Sequence, residues 1–340
     1  MEIEIVPARI DHDRKKDFCN FQQWYGNQKY KRGFLPPQLW QQFLEEAPDS
    51  LAEFWLAYHH GKPVGRVGAS CMQKNRGLGS IGFFECDLSI KPYKETVGAL
   101  LHQATKWLKS KSCHKAVGPM NLSTWFPYRF RSDRQIVRRY IWEPIHPPEY
   151  LEEWLRYGFT VNASYKAFKT DELANFVGKT ESAYHKCLDQ GFHFRDFDKD
   201  YFLQRDVPII YEMSMECFKD NHLFEPISLP AFSSLYIPIA DKIDHSLGQL
   251  CFAKDGTPAG FGFSFIDGDS FVLKTLATMP HCRGNGISNA LAHLAGSAAY
   301  KQGMRSYITA IIHAGAQSES YGKKGEIIWE HNYDLLEISL

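Results

Sequence analysis

The chain has 340 residues, 44% hydrophobic and 23% charged; that length predicts two domains, and the composition excludes a disordered chain. Lys and Arg number 39, as do Asp and Glu, so the formal net charge is zero. Unspecific nucleic-acid binding, which favours a basic chain, is therefore not expected.

Aromatic residues make up 14%, enough for well-filled cores or for a ligand groove. The opening Met1-Glu-Ile-Glu-Ile-Val-Pro7 lacks the basic-then-apolar layout of a signal peptide, and no apolar run reaches membrane-spanning length. The eight cysteines show no C-x-x-C pairing, and the 14 histidines show no H-E-x-x-H spacing. The expectation is a reduced, cytoplasmic chain with small buried thiols, no metal and no membrane partner.

In chain order, a strand at Glu2–Val6 precedes helical text at Asp13–Tyr25 and Pro37–Glu46. Phe54–Tyr58 and Val64–Cys71 read as strands around a turn at His60–Pro63, and Ser80–Leu88 reads as a third. Lys94–Lys111 carries Val97, Leu100, Leu101, Ala104, Trp107 and Leu108 at helical spacing. A short strand at His114–Val117 follows. Thr124–Trp142 interleaves Arg129, Arg131, Arg134, Arg138 and Arg139 with aromatic residues. It reads as a solvated loop with its aromatics turned inward, in preference to an anion or nucleic-acid site. A helix at Pro148–Tyr157, stopped by Gly158, and a strand through Phe168 close the first half.

Asp171–Lys179 and a helix at Glu181–Gln190 read as a connector. The second half then shows a strand at Phe192–Phe197 and helices at Val207–Lys219 and Leu229–Ile243. A hairpin of Gln249–Ala253 and Ala259–Ile266 follows, then a strand at Phe271–Thr278. A helix at Ile287–Gln302, a strand at Arg305–Ile312, a short helix at Ala316–Lys324 and strand at Glu326–Ile338 complete the chain. Both halves repeat one order of elements, so the expected fold is α/β (α+β): two domains, each a mixed, mostly antiparallel twisted sheet flanked by helices. The expected boundaries are 1–170, a connector at 171–191, and 192–340.

The most informative segment is Thr278-Met-Pro-His-Cys-Arg-Gly-Asn-Gly-Ile-Ser288, between a predicted strand and a predicted helix. Such a turn gathers free backbone N–H groups at a helix N-terminus, where the helix dipole favours an anion. Gly284 and Gly286 let the backbone approach a phosphate, and Arg283 adds a permanent positive charge. The competing reading is a plain glycine turn that starts a helix.

These residues resemble the signature of the GNAT N-acyltransferase superfamily, Q/R-x-x-G-x-G/A, as Arg283-x-x-Gly286-x-Ser288, with Pro280 at the usual proline. Thr278 stands where valine is usual, and Ser288 where Gly or Ala is typical. The resemblance implies that Arg283, Gly284, Asn285, Gly286, Ile287 and Ser288 hold the CoA pyrophosphate. It also implies that Leu276–Thr278 pairs with the pantetheine arm and donates an oxyanion-hole N–H. Tyr321 and Gly325 keep the Y-x-x-x-G spacing of a second family motif, which implies that Tyr321 protonates the leaving thiolate. The alternative is a helix tyrosine packed on the sheet.

In the first half, Glu152–Phe159 is similar to the family's short helix ending in Gly-Phe, but Ser89-Ile-Lys-Pro-Tyr-Lys94 has no glycine-rich loop. That half reads as a degenerate copy. Phe54–Ala57, Gly65–Ala69, Gly82–Glu85 and Gly118–Asn121 resemble uncharacterised bacterial tandem GNAT proteins, a likeness that covers most of the chain. Glu225, in the loop Asn221–Pro226, and His313, at a strand end, are candidate bases or ammonium anchors for the acceptor; Glu225 reads equally well as an exposed loop acid.

The implied activity is transfer from acetyl-CoA or another acyl-CoA cosubstrate to a primary amine of a small molecule or peptide, by direct attack. The first half would shape the acceptor site or form a homodimer surface. A Fem-type aminoacyl transferase and a catalytically inactive CoA-binding protein are the alternatives.

Overall fold

A computed structural model describes residues 3–25, 40–41, 44–45, 47–133, 139–144, 146–316 and 318–340. Most of the expected helix Pro37–Glu46, and Arg134 and Arg138, lie outside the described residues. The chain divides into two compact units, residues 1–164 with 333–340, and residues 165–332.

The first unit runs β1 (Glu4–Pro7), α1 (His12–Tyr25), β2 (Ala52–His59), β3 (Lys62–Cys71), β4 (Leu78–Cys86), α2 (Tyr93–Ser110), β5 (Lys115–Gly118), β6 (Phe130–Arg131) and α3 (Pro148–Tyr157). Strands β1 to β4 pair antiparallel in chain order, and β5 adds parallel to β4. The β2–β3 hairpin turns on His60 and Gly61, at φ 50° and 71°. Two consecutive left-handed residues match the right-handed strand twist and fix the register. Two later strands, β7 (Thr160–Thr170) and β13 (Ile327–Ser339), contribute to both units; here the C-terminal end of β13 sets Leu336 opposite Gly118 on β5.

Helix α2 buries Val97, Leu100, Leu101, Ala104 and Leu108, the stripe expected from its spacing. The sheet meets it with glycines: a Cβ at Gly65 would stand 2.8 Å from Leu100. Phe126, Phe130 and Tyr140 turn inward as expected, but Arg129 is buried with them, and the Arg131 side chain is 9% exposed. The interior supplies counter-charge. Arg131 pairs with Asp133 at 2.9 Å and Glu143 at 3.6 Å, and the Tyr333 hydroxyl donates to Glu143 at 2.6 Å.

The second unit holds the rest of β7, then α4 (Leu173–Asp189), β8 (His193–Asp196), α5 (Val207–Cys217), α6 (Leu229–Ser233) and β9 (Gly248–Phe252). It continues through β10 (Pro258–Asp267), β11 (Ser270–Thr278), α7 (Ile287–Lys301), β12 (Ser306–His313) and α8 (Glu319–Gly322). Its strand order is β7-β12-β11-β10-β9-β8, antiparallel except for β11–β12.

The helical stretch expected at Leu229–Ile243 stops after Ser233 and continues as turns. Pro238 lies within that stretch, where a proline removes a helix donor and clashes with the preceding turn. Helix α5 starts from a π-helical turn, Phe202–Asp206. There the fully buried Asp206 accepts from Arg195 at 2.7 and 3.1 Å, from Arg205 at 3.1 Å and from the Asp198 N–H at 2.7 Å, tying β8 to α5.

Helix α7 packs its small face on β10, where a Cβ at Gly260 would meet Ile287, and α4 covers α7 at Gly296. Among the described residues no helix is long and apolar enough to cross a membrane.

Candidate functional site

The loop between β11 and α7 has the backbone that its glycines predict. Gly284 and Gly286 lie at φ 87° and 92°, in the left-handed region. Gly286 is the N-cap of α7, and the Ala290 N–H donates to its carbonyl at 3.0 Å. The helix ladder begins there, so the N–H groups of Ile287, Ser288 and Asn289 lie upstream of it, at the positive end of the dipole.

Arg283 is exposed at the start of the loop. Its field reaches Lys219, whose ammonium is held above the ordinary lysine range chiefly by a hydrogen bond to Glu216 and is opposed by Arg283. The two cations therefore share one neighbourhood.

Three contacts fix this loop. The Thr278 and Ser288 hydroxyls lie 2.8 Å apart, so the two positions that depart from the family signature bind each other. The Asn285 amide donates to the Cys282 carbonyl at 3.0 Å. From α4, the Cys187 thiol approaches the Asn285 carbonyl at 3.4 Å, and Ala183 would stand 3.4 Å from a Cβ at Gly286. The roles of Ala183 and Cys187 were not legible in the sequence, because their spacing on α4 says nothing of the distant loop they touch.

The strand leading into the loop has one open edge. Parallel pairing of β11 with β12 runs from Ser270↔Ser306 to Leu273↔Thr309 and stops; after a bulge at Lys274, Thr275–Thr278 pair, among the described residues, with β10 alone. The Met279 N–H donates to Ala259 on the β10 side at 2.9 Å. Alternation along the strand then turns the N–H groups of Leu276 and Thr278 to the other side, away from β10. A diverging strand, two aligned donors and a left-handed glycine loop beside a helix N-terminus form a slot for an extended amide-bearing chain ending in an anion, and the residues fit CoA.

Tyr321 lies in α8 and packs against the same apolar cluster as Leu276, with its ring 6.3 Å from Phe176. Burial pushes its hydroxyl up to about 12, so it stays a phenol at neutral pH. The ring is thus packed on the sheet, and burial moves the hydroxyl further above the range of a thiol.

Glu225 is buried, which corrects the exposed-acid alternative. His313 is exposed at the end of β12, with its Nδ1 3.0 Å from the Ala314 carbonyl. Its ring stands 5.1 Å from Tyr165 and 6.3 Å from His222. The Asn221–Pro226 loop and the end of β12 therefore meet through His222, a residue the sequence reading passed over. Among the described residues no group of three or more His, Cys, Asp or Glu side chains is placed to hold a metal ion.

The matching place in the first unit is filled by the chain itself. Gly65 opposite Cys86 corresponds to Gly260 opposite Thr278, and the Asp87 N–H donates to Val64 as that of Met279 does to Ala259. The Cys86 N–H, which corresponds to that of Thr278, is bonded to the Tyr150 hydroxyl at 2.7 Å. Along the same edge Met120 N–H donates to the Ile81 carbonyl at 2.8 Å, and Asn121 Oδ1 accepts from the Phe83 N–H at 2.6 Å. The following turn carries no left-handed glycine: Pro92 caps α2, and Asp87 accepts from Ser89.

No protein-family model matches the chain, and no curated protein matches it in sequence. Solved structures do match in fold. An Enterococcus faecalis V583 protein described as a probable N-acyltransferase is 9% identical, with 100% of this chain and 73% of that chain covered and a TM-score of 0.61. A tandem GNAT protein from the clavulanic acid biosynthesis pathway is 10% identical, with 99% and 98% covered and a TM-score of 0.55. A fungal multi-domain beta-N-acetylglucosaminidase with a GCN5-related glucosamine N-acetyltransferase region is 13% identical at a TM-score of 0.59; 99% of this chain is covered, but it spans only 38% of that protein. The chain has the GNAT fold, in tandem.

Proposed function

We propose that the second unit is an acyl-CoA-dependent N-acyltransferase, with acetyl-CoA as the donor and a primary amine of a small molecule or peptide as the acceptor. The observation that carries this reading is the open edge of β11, with the Leu276 and Thr278 N–H groups turned away from β10 beside the Gly284–Gly286 loop. When bound, the cosubstrate supplies an acyl group activated as a thioester.

The protein's part is positioning and electrostatics. The N–H groups at the start of α7 and the Arg283 guanidinium take the diphosphate. The Leu276 and Thr278 N–H groups orient the pantetheine amides and face the carbonyl oxygen where negative charge develops. Tyr321 holds a proton on its Oη, available to the departing sulfur. His313, with Nδ1 donating to the Ala314 carbonyl, keeps Nε2 as the basic nitrogen that takes a proton from the acceptor, and Glu225 anchors the ammonium form. The Nδ1 proton is assigned from that hydrogen bond.

The test is calorimetric titration of the whole chain with CoA and acetyl-CoA, followed by thiol release with a panel of primary amines. The expected stoichiometry is near one per chain, because only the second unit has the slot and the loop. Two equal sites would overturn the assignment of the first unit as degenerate, and no CoA binding would overturn the whole reading. CoA binding with no thiol release for any amine would make the protein a CoA-binding protein.

A further inference from the structure

Arg66 lies on β3 opposite Glu85 of β4, and its side chain is fully buried in the first unit. The guanidinium stands between two rings, 5.1 Å from the Phe18 centroid and 4.8 Å from that of Trp40. Nη1 donates to the Phe18 carbonyl at 2.6 Å. Nε and Nη2 are buried and, among the described residues, have no hydrogen-bond partner. Those two donors share one edge of the planar group, the edge that meets a carboxylate side-on through two parallel bonds. The Glu85 charge favours the cation, but burial outweighs it and pulls the guanidinium below its ordinary range.

The fold does not require an arginine here. Gly65-Arg66 corresponds to Gly260-Phe261 in the second unit, since each glycine packs against its unit's long helix and faces the matching residue of the next strand. There the buried Phe261 simply packs near Phe218, 6.4 Å between centroids. A buried cation with an unmet bidentate edge, at a position where an apolar ring suffices, needs an anionic partner to offset its desolvation. The surrounding wall is aromatic: Phe18 lies 5.5 Å from Phe54, and Phe83 lies 5.1 Å from Phe54 and 5.4 Å from Trp40.

We propose that the first unit binds a small organic monocarboxylate here, with both oxygens on Arg66 Nε and Nη2 and its apolar part against Phe18, Trp40, Phe54 and Phe83. The site is separate from the CoA slot and independent of the acyl-transfer reading.

The test uses the full chain with acetate, butyrate and phenylacetate as probes, each beside its primary amide. Thermal unfolding and tryptophan fluorescence are read across a titration. At least one carboxylate is expected to raise the melting temperature saturably, and its amide is not. Arg66→Met removes the charge and keeps a long apolar side chain; Arg66→Lys keeps the charge and loses the two-pronged edge. Both are expected to bind the active carboxylate about 10- to 100-fold more weakly, with CoA affinity unchanged. Equal effects of acid and amide on the wild type overturn the proposal without reference to any variant. So does the absence of a saturable response to all three acids, or undiminished binding by a folded Arg66→Met chain.

Discussion

Gly286→Glu tests the anion loop directly. Gly286 sits at φ 92° and ψ 6°, a conformation that costs a non-glycine residue about 1–2 kcal/mol. Its Cβ would stand 3.4 Å from that of Ala183, an ordinary contact, so strain is the main folding penalty. Against a typical stability of about 5–15 kcal/mol, the variant stays folded. The new side chain starts beside Ala183, and its length brings the carboxylate within reach of the proposed diphosphate position. Two unit charges about 4 Å apart at an effective dielectric near 20 repel by about 4 kcal/mol, or about three orders of magnitude in affinity. The control is Gly303→Glu, beyond the far end of α7. That glycine has φ 95° and nothing within 4 Å, so the change adds the same strain and charge away from the loop. CoA titration and thermal unfolding of both variants should show similar loss of stability but loss of CoA affinity in Gly286→Glu alone. CoA binding by Gly286→Glu within threefold of Gly303→Glu would refute the loop assignment.

Two further outcomes concern stability. Asp206→Asn removes the buried charge that satisfies Arg195 and Arg205, and should lower the denaturant-derived stability by about 3 kcal/mol, the low end for a broken buried pair, since both arginines keep some solvent; a loss under about 1 kcal/mol would show that the cluster is dispensable. Burial pushes Cys217 up to about 11 and Cys251, Tyr307 and Tyr321 up to about 12, all above their unfolded values, so their stabilising contribution is complete below about pH 8.5 and is lost as pH rises towards 12. The melting temperature should hold from pH 7 to 8.5 and fall by pH 11, and a flat profile to pH 11 would contradict that burial.

Much of the loop at 283–288 was legible because its chemistry is local. Two glycines, four and six residues after a proline and between a strand and a helix, need no long-range information to predict left-handed backbone at a helix N-terminus. The stripe on α2 was legible for the same reason. What escaped reading depends on register between distant segments. Arg66 looked like an ordinary strand residue until Phe18 and Trp40 closed over it. The arginines at 129 and 131 read as solvated because spacing does not reveal their burial: the counter-charges Asp133 and Glu143 are close in sequence, but Tyr333, which donates to Glu143, comes from the far end of the chain. Pro238 was a readable stop signal, and the helical pattern at Leu229–Ile243 was extended past it regardless.

The two copies diverge most sharply in what a tyrosine hydroxyl does, and the same small change separates the roles. In the first unit the Tyr150 hydroxyl lies 2.7 Å from both the N–H and the carbonyl of buried Cys86. Tyr150→Phe keeps the ring against Phe84, 5.0 Å away, but leaves that N–H unsatisfied in the interior. A buried orphan donor costs about 1–3 kcal/mol, so the variant should lose about 2 kcal/mol of stability. Turnover should not change, and no second CoA site should appear, because Met120 and Asn121 still occupy the rest of the edge. In the second unit the matching edge has no such plug among the described residues, and Tyr321 stands in α8 with its proton retained. Tyr321→Phe preserves the packing and should change stability by less than about 1 kcal/mol. It should lower turnover about 10²–10⁴-fold with little change in acyl-CoA affinity, because the lost proton donor acts mainly in the transition state. The measurement is a four-way comparison of unfolding midpoint, acyl-CoA affinity and turnover on the wild type, each single variant and the double variant. Independent roles predict additive effects, with stability lost through Tyr150 and rate lost through Tyr321. If Tyr321→Phe instead lost stability and affinity together at unchanged turnover per folded molecule, Tyr321 would be a packing residue, and the backbone donors of β11 would be left to manage the departing sulfur.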